Sequence, residues 1–182
     1  MELKDKIYFE EPIEDRFYNG FSEKETVVLR YNGKVGVFTI RNFFTLMDPA
    51  ERLVAKEEDI WIKDMLEEKP AEVLGKNGFE KVLQLVRRAT FEPLFVIKTE
   101  SGKTTIVGAS HQIPVVRDGE DVLVRAENIE EGDVVYAADK EGNLKTEKVV
   151  KKELEGKRHL SVYGMITESG GAIISGIFQK SY

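Results

Sequence analysis

His111 is the residue that the sequence best places to do chemistry. It is one of two histidines in a chain of 182 residues. It follows Thr104–Val107, a β-branched run that reads as a strand, so its imidazole stands just past a strand end, where it can face a site instead of a core. An imidazole so placed can give one proton to a carbonyl or amide while a neighbour holds its other nitrogen, and a lone histidine can thereby activate a peptide bond. Taken by itself, such a histidine is more often a structural one satisfied within the fold. The chain has no cysteine, which excludes disulfides, thiolate metal sites and a cysteine nucleophile together. With two histidines a structural zinc site is not expected, and no cofactor is implied.

The elements that must position His111 are read as strands. The central stretch Thr99–Val135 holds the strand before the Ser110-His111 pair, a second strand over Ile113–Val116, a turn at Asp118-Gly119, a third strand and a Glu131-Gly132-Asp133 turn. Upstream, Thr26–Tyr31 and Lys34–Ile40 flank Asn32-Gly33, the strongest short hairpin signal there is. Ala71–Arg88 reads as a strand pair turning at Asn77-Gly78, because Val82, Gln84 and Val86 alternate. Downstream, Val134–Ala137, Lys145–Leu154 and an apolar terminal segment continue the β pattern. Residues 48–69 differ. Asp48-Pro49-Ala50-Glu51 is a helix start, and Leu53, Val54, Ile60, Trp61, Met65 and Leu66 recur every three to four residues. A short helical insertion covering one sheet edge is expected there, with Trp61 as a possible docking residue. The hairpin around Ser101-Gly102-Lys103 echoes that around Asn32-Gly33-Lys34, a faint internal repeat.

The length suits one domain with a sizeable core. A net charge of -6 without a basic cluster argues against nucleic acid as a partner, since phosphate binding needs concentrated Lys and Arg. No run of about 18 apolar residues is present, and the start, MELKDKIYFEEP, lacks the build of a signal peptide. No membrane partner is expected, and the expected location is the cytoplasm or a particle assembled there. Met1–Asn19 carries the irregular aromatics Tyr8, Phe9, Phe17 and Tyr18 and is read as a leader ahead of a domain spanning 20–182.

The order of these pieces resembles the Hint module shared by inteins and the autoprocessing part of hedgehog proteins. Its members carry a Thr-x-x-His motif, a hydrophobic strand and an A-x-x-L-x-x-GD-x-V turn. Here Gly108-Ala109-Ser110-His111, Ile113–Val116 and Ala126–Val135 stand in those places, and Val162-Tyr163, Thr167, Gly170-Gly171 and Ala172–Ile174 match the family's closing strands. The resemblance implies a mainly β, horseshoe-shaped fold with pseudo-twofold symmetry. It also implies self-cleavage chemistry, in which His111 polarises a peptide bond that a nucleophile attacks.

Position by position, that chemistry is missing. In the hedgehog-type register Gly20-Phe21 precedes Thr26-Val27 and puts Gly20 at the nucleophile position, while an intein-type register puts Phe21 there. Neither residue can attack a carbonyl. Gly108 stands at the motif's threonine. At the end, Gln179-Lys180-Ser181 stands where an intein has His-Asn-Ser, so Lys180 replaces the asparagine whose amide would cyclise. In the hedgehog register Ser181 takes the place of a cysteine and Tyr182 matches. Ser22 is the nearest hydroxyl, and its use as nucleophile would require the opening strand to slide.

Two functions are therefore weighed. One is a Hint-fold domain unable to cleave itself, retained as a structural or interaction module of a larger protein or assembly such as a phage particle, with a protein partner or flanking polypeptide. The other is residual autoprocessing by His111 and Ser22. A plain β-rich binding domain is a third reading.

Overall fold

The computed structural model describes residues 20–47, 51–55, 59–90 and 92–181. The leader Met1–Asn19, the helix start at 48–50 and Tyr182 lie outside them. The chain opens with β1 (Phe21–Ser22), then β2 (Thr26–Tyr31) and β3 (Lys34–Thr39), which feeds directly into a helix, α1 (Ile40–Leu46). β4 (Arg52–Ala55), β5 (Ile60–Asp64), β6 (Ala71–Gly75) and the long β7 (Gly78–Ala89) complete the first half. The second half runs β8 (Leu94–Thr99), β9 (Thr104–Gly108), β10 (Gln112–Arg117), β11 (Glu120–Arg125), a single 3-10 turn at Ala126–Asn128, β12 (Val134–Ala138) and the long β13 (Leu144–Leu154). β14 (Ser161–Thr167), β15 (Gly171–Ile174) and β16 (Ile177–Lys180) close the domain.

Pairing makes one curved ladder, from β12 through β13, β8, β9, β1, β14, β7, β6, β2 and β15 to β16, which closes through Ala137 opposite Ile177. The long strands make the corners. β7 pairs β6 with its first residues and β14 and β5 with the rest, and β13 passes from β12 to β8 across a bulge between Val149 and Lys151. Phe21, Leu29, Phe43, Val107, Ile113 and Met165 are among the buried residues of the shared core.

The hairpin turns at Asn32-Gly33 and Asp118-Gly119 are present, while the one expected at Asn77-Gly78 falls a residue earlier, at Lys76-Asn77, because Gly78 already pairs with Gly75. Asn32 and Gly33, and likewise Asp118 and Gly119, have positive φ at both central positions, the geometry whose twist matches antiparallel strands. The repeat, however, has a different partner from the one the sequence suggests. β3 pairs β2, β2 pairs β6 and β6 pairs β7, while β11 pairs β10, β10 pairs β12 and β12 pairs β13. The hairpin at Asn32-Gly33 is therefore matched by that at Asp118-Gly119, an offset of 86 residues, and not by the one at Ser101-Gly102.

The expected helical insertion over 48–69 is corrected. Its described part is a hairpin in which β5 adds to β7, with Ile60 opposite Arg88 and Ile62 opposite Val86. Ile60 and Ile62 are buried on one face, and β-branched residues with an open strand edge beside them favour that pairing over a helix. The helix comes earlier, at α1, where the Thr39 hydroxyl accepts the Asn42 N–H at 3.2 Å as an N-cap. β5 also closes that helix. The buried Lys63 ammonium donates to the carbonyls of Phe44 and Met47 at 2.5 and 2.9 Å, beside the Phe44 ring.

Candidate functional site

β1 is two residues long and sits at the middle of the ladder, with Phe21 opposite Val107 of β9 on one side and Tyr163 of β14 on the other. That pairing brings Gly20 beside Gly108, whose N–H donates to the Gly20 carbonyl at 2.9 Å. From Gly108 the chain turns tightly, the His111 N–H donating to the Gly108 carbonyl at 3.0 Å, and the imidazole is delivered edge-on to the Phe21 ring with centroids 5.8 Å apart. Gly20, Gly108 and His111 thus converge on one place.

His111 is 1% exposed. Its Nε2 lies 2.9 Å from Oε1 of Gln179. The Gln179 amide donates to Thr105 Oγ1 at 2.9 Å and to the Ile174 carbonyl at 3.2 Å, which uses both its protons and leaves Oε1 as an acceptor. Nε2 of His111 is therefore the protonated nitrogen, and Nδ1 is a buried lone pair with no hydrogen-bond partner among the described residues. Burial lowers the imidazole pKa to about 4, with the Lys180 charge adding to it and the Gln179 bond opposing it.

The network continues beyond Gln179 to a residue the sequence reading missed. Thr105 Oγ1 donates to Oε1 of Glu25, which also accepts the Ile106 N–H at 2.9 Å and the Ser175 hydroxyl at 3.0 Å, and Oε2 accepts the Ser22 hydroxyl at 3.0 Å. Burial pushes the Glu25 carboxyl above its ordinary pKa against the pull of these bonds. In the sequence Glu25 lies in a charged turn with nothing to mark it, because three of its four donors come from two distant segments.

No family model matches the chain, and no curated protein matches it. Solved structures do. A structure of an intein from a hyperthermophile superposes with a TM-score of 0.78 at 15% identity, covering 90% of this chain and 99% of that one. The transcription factor IIB Mvu mini-intein gives 0.74 at 19% identity, over 88% and 99% of the two chains, and the PabCDC21-1 intein gives 0.76 at 16% identity, over 90% and 99%. The fold is the Hint fold.

On that fold each expected site residue can be located. A Cβ built on Gly20 would meet Val162 at 3.0 Å, so β14 is packed against the bare glycine. A Cβ built on Gly108 would lie 2.4 Å from Oε1 of Glu92. That carboxylate fills the space beside the glycine, accepting the Ser110 hydroxyl at 2.7 Å and the Ser110 N–H at 3.2 Å, with an Arg88 guanidinium nitrogen 3.3 Å away. Nothing in the sequence marks Glu92, because its role arises from a vacancy on another strand.

Ser22 is a fully buried strand residue, and its hydroxyl proton goes to Glu25. At the far end, the Lys180 ammonium donates to the Gln112 side chain at 3.1 Å, next to His111 in the chain. The Ser181 hydroxyl is buried 2.8 Å from that of Thr167, and the Ser181 N–H donates to the Gly170 carbonyl. Trp61 is half-buried, its indole N–H bonded to Asp59 at 2.8 Å and its ring beside the Arg87 guanidinium. Among the described residues no group of three or more His, Asp or Glu could hold a metal ion, and no helix is long and apolar enough to cross a membrane.

Proposed function

We propose that this chain is a Hint-fold domain that does not cleave itself and that serves as a structural or interaction module of a larger protein or assembly, such as a phage particle. The observation that carries this reading is Gly20. Gly20 offers no nucleophile, and the atoms that a side chain there would first meet are those of Val162. The substituted positions Gly108 and Lys180 support the same reading, and Ser22 is fully buried with its hydroxyl bonded to Glu25. Met1–Asn19 then stays attached as a leader, the partner is a protein or the flanking polypeptide, and the domain works in the cytoplasm or in the particle. Ser181-Tyr182 at the end aligns the domain with the hedgehog-type modules.

The test is the intact mass of the purified chain before and after prolonged hydroxylamine treatment, which cleaves ester and thioester intermediates. A chain uncut between Phe21 and Ser22 is expected, while cuts at Asn19-Gly20, Asn32-Gly33 and Asn77-Gly78 are the reagent's own reaction with Asn-Gly bonds. A fragment pair dividing between Phe21 and Ser22 that disappears in Ser22→Ala would establish autoprocessing by Ser22 and overturn the reading.

A further inference from the structure

Among the described residues β3 pairs with β2 alone, so its second edge is open. The two-residue turn at Asn32-Gly33 fixes which backbone groups face that edge. Tyr31 and Lys34 flank the turn and exchange hydrogen bonds, the alternation makes Gly36 and Phe38 bond inward to β2, and the amides and carbonyls of Val35 and Val37 point outward. The same alternation turns Thr26 away from β3, where its carbonyl accepts the Ser175 N–H at 2.8 Å. Val35 and Val37 are also 59% and 69% exposed. An open strand edge bearing exposed valines is a template for another strand.

We propose that this edge pairs with the same edge of a second copy of the chain, giving an antiparallel β3–β3 homodimer centred on Gly36. The strand is self-complementary in that register. Val35 faces Val37 of the second copy, and the outward donors and acceptors of the two residues match. Gly36 meets Gly36 with no side chain to hold the backbones apart, and each Lys34 comes opposite a Phe38 ring instead of another lysine. The pseudo-symmetric strand β11 is the internal comparison. The residues facing its free edge are Asp121, Leu123 and Arg125. Asp121 accepts the Tyr136 hydroxyl and Arg125 pairs with Glu127, an edge guarded by charge. A strand this short makes a small interface, so the dimer is concentration-dependent.

Sedimentation velocity of the full chain from micromolar to millimolar concentration tests this, with Val37→Lys, Val35→Lys and the control Leu123→Lys. All three side chains are exposed, and circular dichroism checks that each variant folds. Self-association that weakens at least tenfold in both valine variants and is unchanged in Leu123→Lys is expected. A wild-type chain that stays monomeric throughout, or association equally weakened by Leu123→Lys, would overturn it.

Discussion

Glu25 and His111 occupy the same place in the two halves of the domain. Each immediately precedes the first strand of an equivalent hairpin, and each N–H closes a turn on the carbonyl three residues back, Ser22 for Glu25 and Gly108 for His111. Each carbonyl accepts the N–H that follows the hairpin, from Ile40 in one half and Ala126 in the other. The two side chains are joined through Thr105 and Gln179. One half thus presents a buried acid and the other a buried base, and the acid sets the orientation of the amide that sets the tautomer of the base.

The four donors around Glu25 make its removal expensive. In Glu25→Leu the Ser22, Thr105 and Ser175 hydroxyls and the Ile106 N–H lose their acceptor, and each unsatisfied buried group costs about 1–3 kcal/mol. A loss of at least about 3 kcal/mol is expected in urea unfolding. Glu25→Gln keeps one oxygen for three of the donors, and the Ser22 hydroxyl can turn to accept from the new amide, so a much smaller loss is expected. Equal losses in the two variants would contradict this assignment.

His111 gives the domain a pH dependence of definite sign. Its folded pKa is depressed, so the unfolded chain binds the proton more tightly, and stability present above 6.5 is lost as pH falls toward about 4. Across that window the loss is on the order of 3 kcal/mol. Glu25 acts in the opposite sense, because its raised pKa contributes stability below 4.5 that is lost as pH rises. The measurement therefore belongs in the Glu25→Gln background, where unfolding free energies at several pH values with and without His111→Leu isolate the histidine. The pH dependence should flatten when His111 is removed.

What the sequence revealed and what it hid have physical causes. The hairpins at Asn32-Gly33 and Asp118-Gly119 are legible because their turns demand residues that accept positive φ. His111 is legible because a histidine after a β-branched run is conspicuous. The segment around Ile60-Trp61-Ile62 is ambiguous, since its apolar spacing suits a helix and its residue types suit a strand, and the open edge of β7 decides between them. Glu25, Thr105 and Gln179 are hidden because a network joining a turn to two strands far apart in the sequence leaves no local pattern, and Glu92 is hidden because its place depends on a side chain that Gly108 lacks.

Gly20 is packed as a glycine. Its would-be Cβ contacts Val162 at 3.0 and 3.1 Å and the Tyr163 carbonyl at 3.4 Å. Gly20→Ala is expected to cost about 1–2 kcal/mol through overpacking, since Val162 must shift by a few tenths of an ångström to admit the methyl. Val162→Ala opens that space, so the second substitution should cost less in the Gly20→Ala chain than in wild type. A double-mutant cycle by chemical denaturation reads this coupling, and strict additivity would show that Val162 does not restrict the position.

The place of the Glu92 carboxylate is tested by putting a threonine at Gly108. Gly108 has no positive φ, so its backbone accepts a side chain, and the obstacle is the Glu92 carboxylate 2.4 Å from the new Cβ. Displacing Glu92 also takes away the acceptor of the Ser110 hydroxyl and N–H on the turn that delivers His111. Gly108→Thr alone is expected to destabilise the domain by about 2–3 kcal/mol, combining overpacking with a broken hydrogen bond. Glu92→Ala alone should cost on the order of 2 kcal/mol or more, because the Ser110 hydroxyl and N–H and the buried Arg88 guanidinium all lose this carboxylate. Together they should cost less than the sum, because the threonine methyl and hydroxyl enter the space the carboxylate leaves and can offer Ser110 a new partner. If Gly108→Thr is harmless while Glu92 is in place, the carboxylate does not occupy the space beside Gly108.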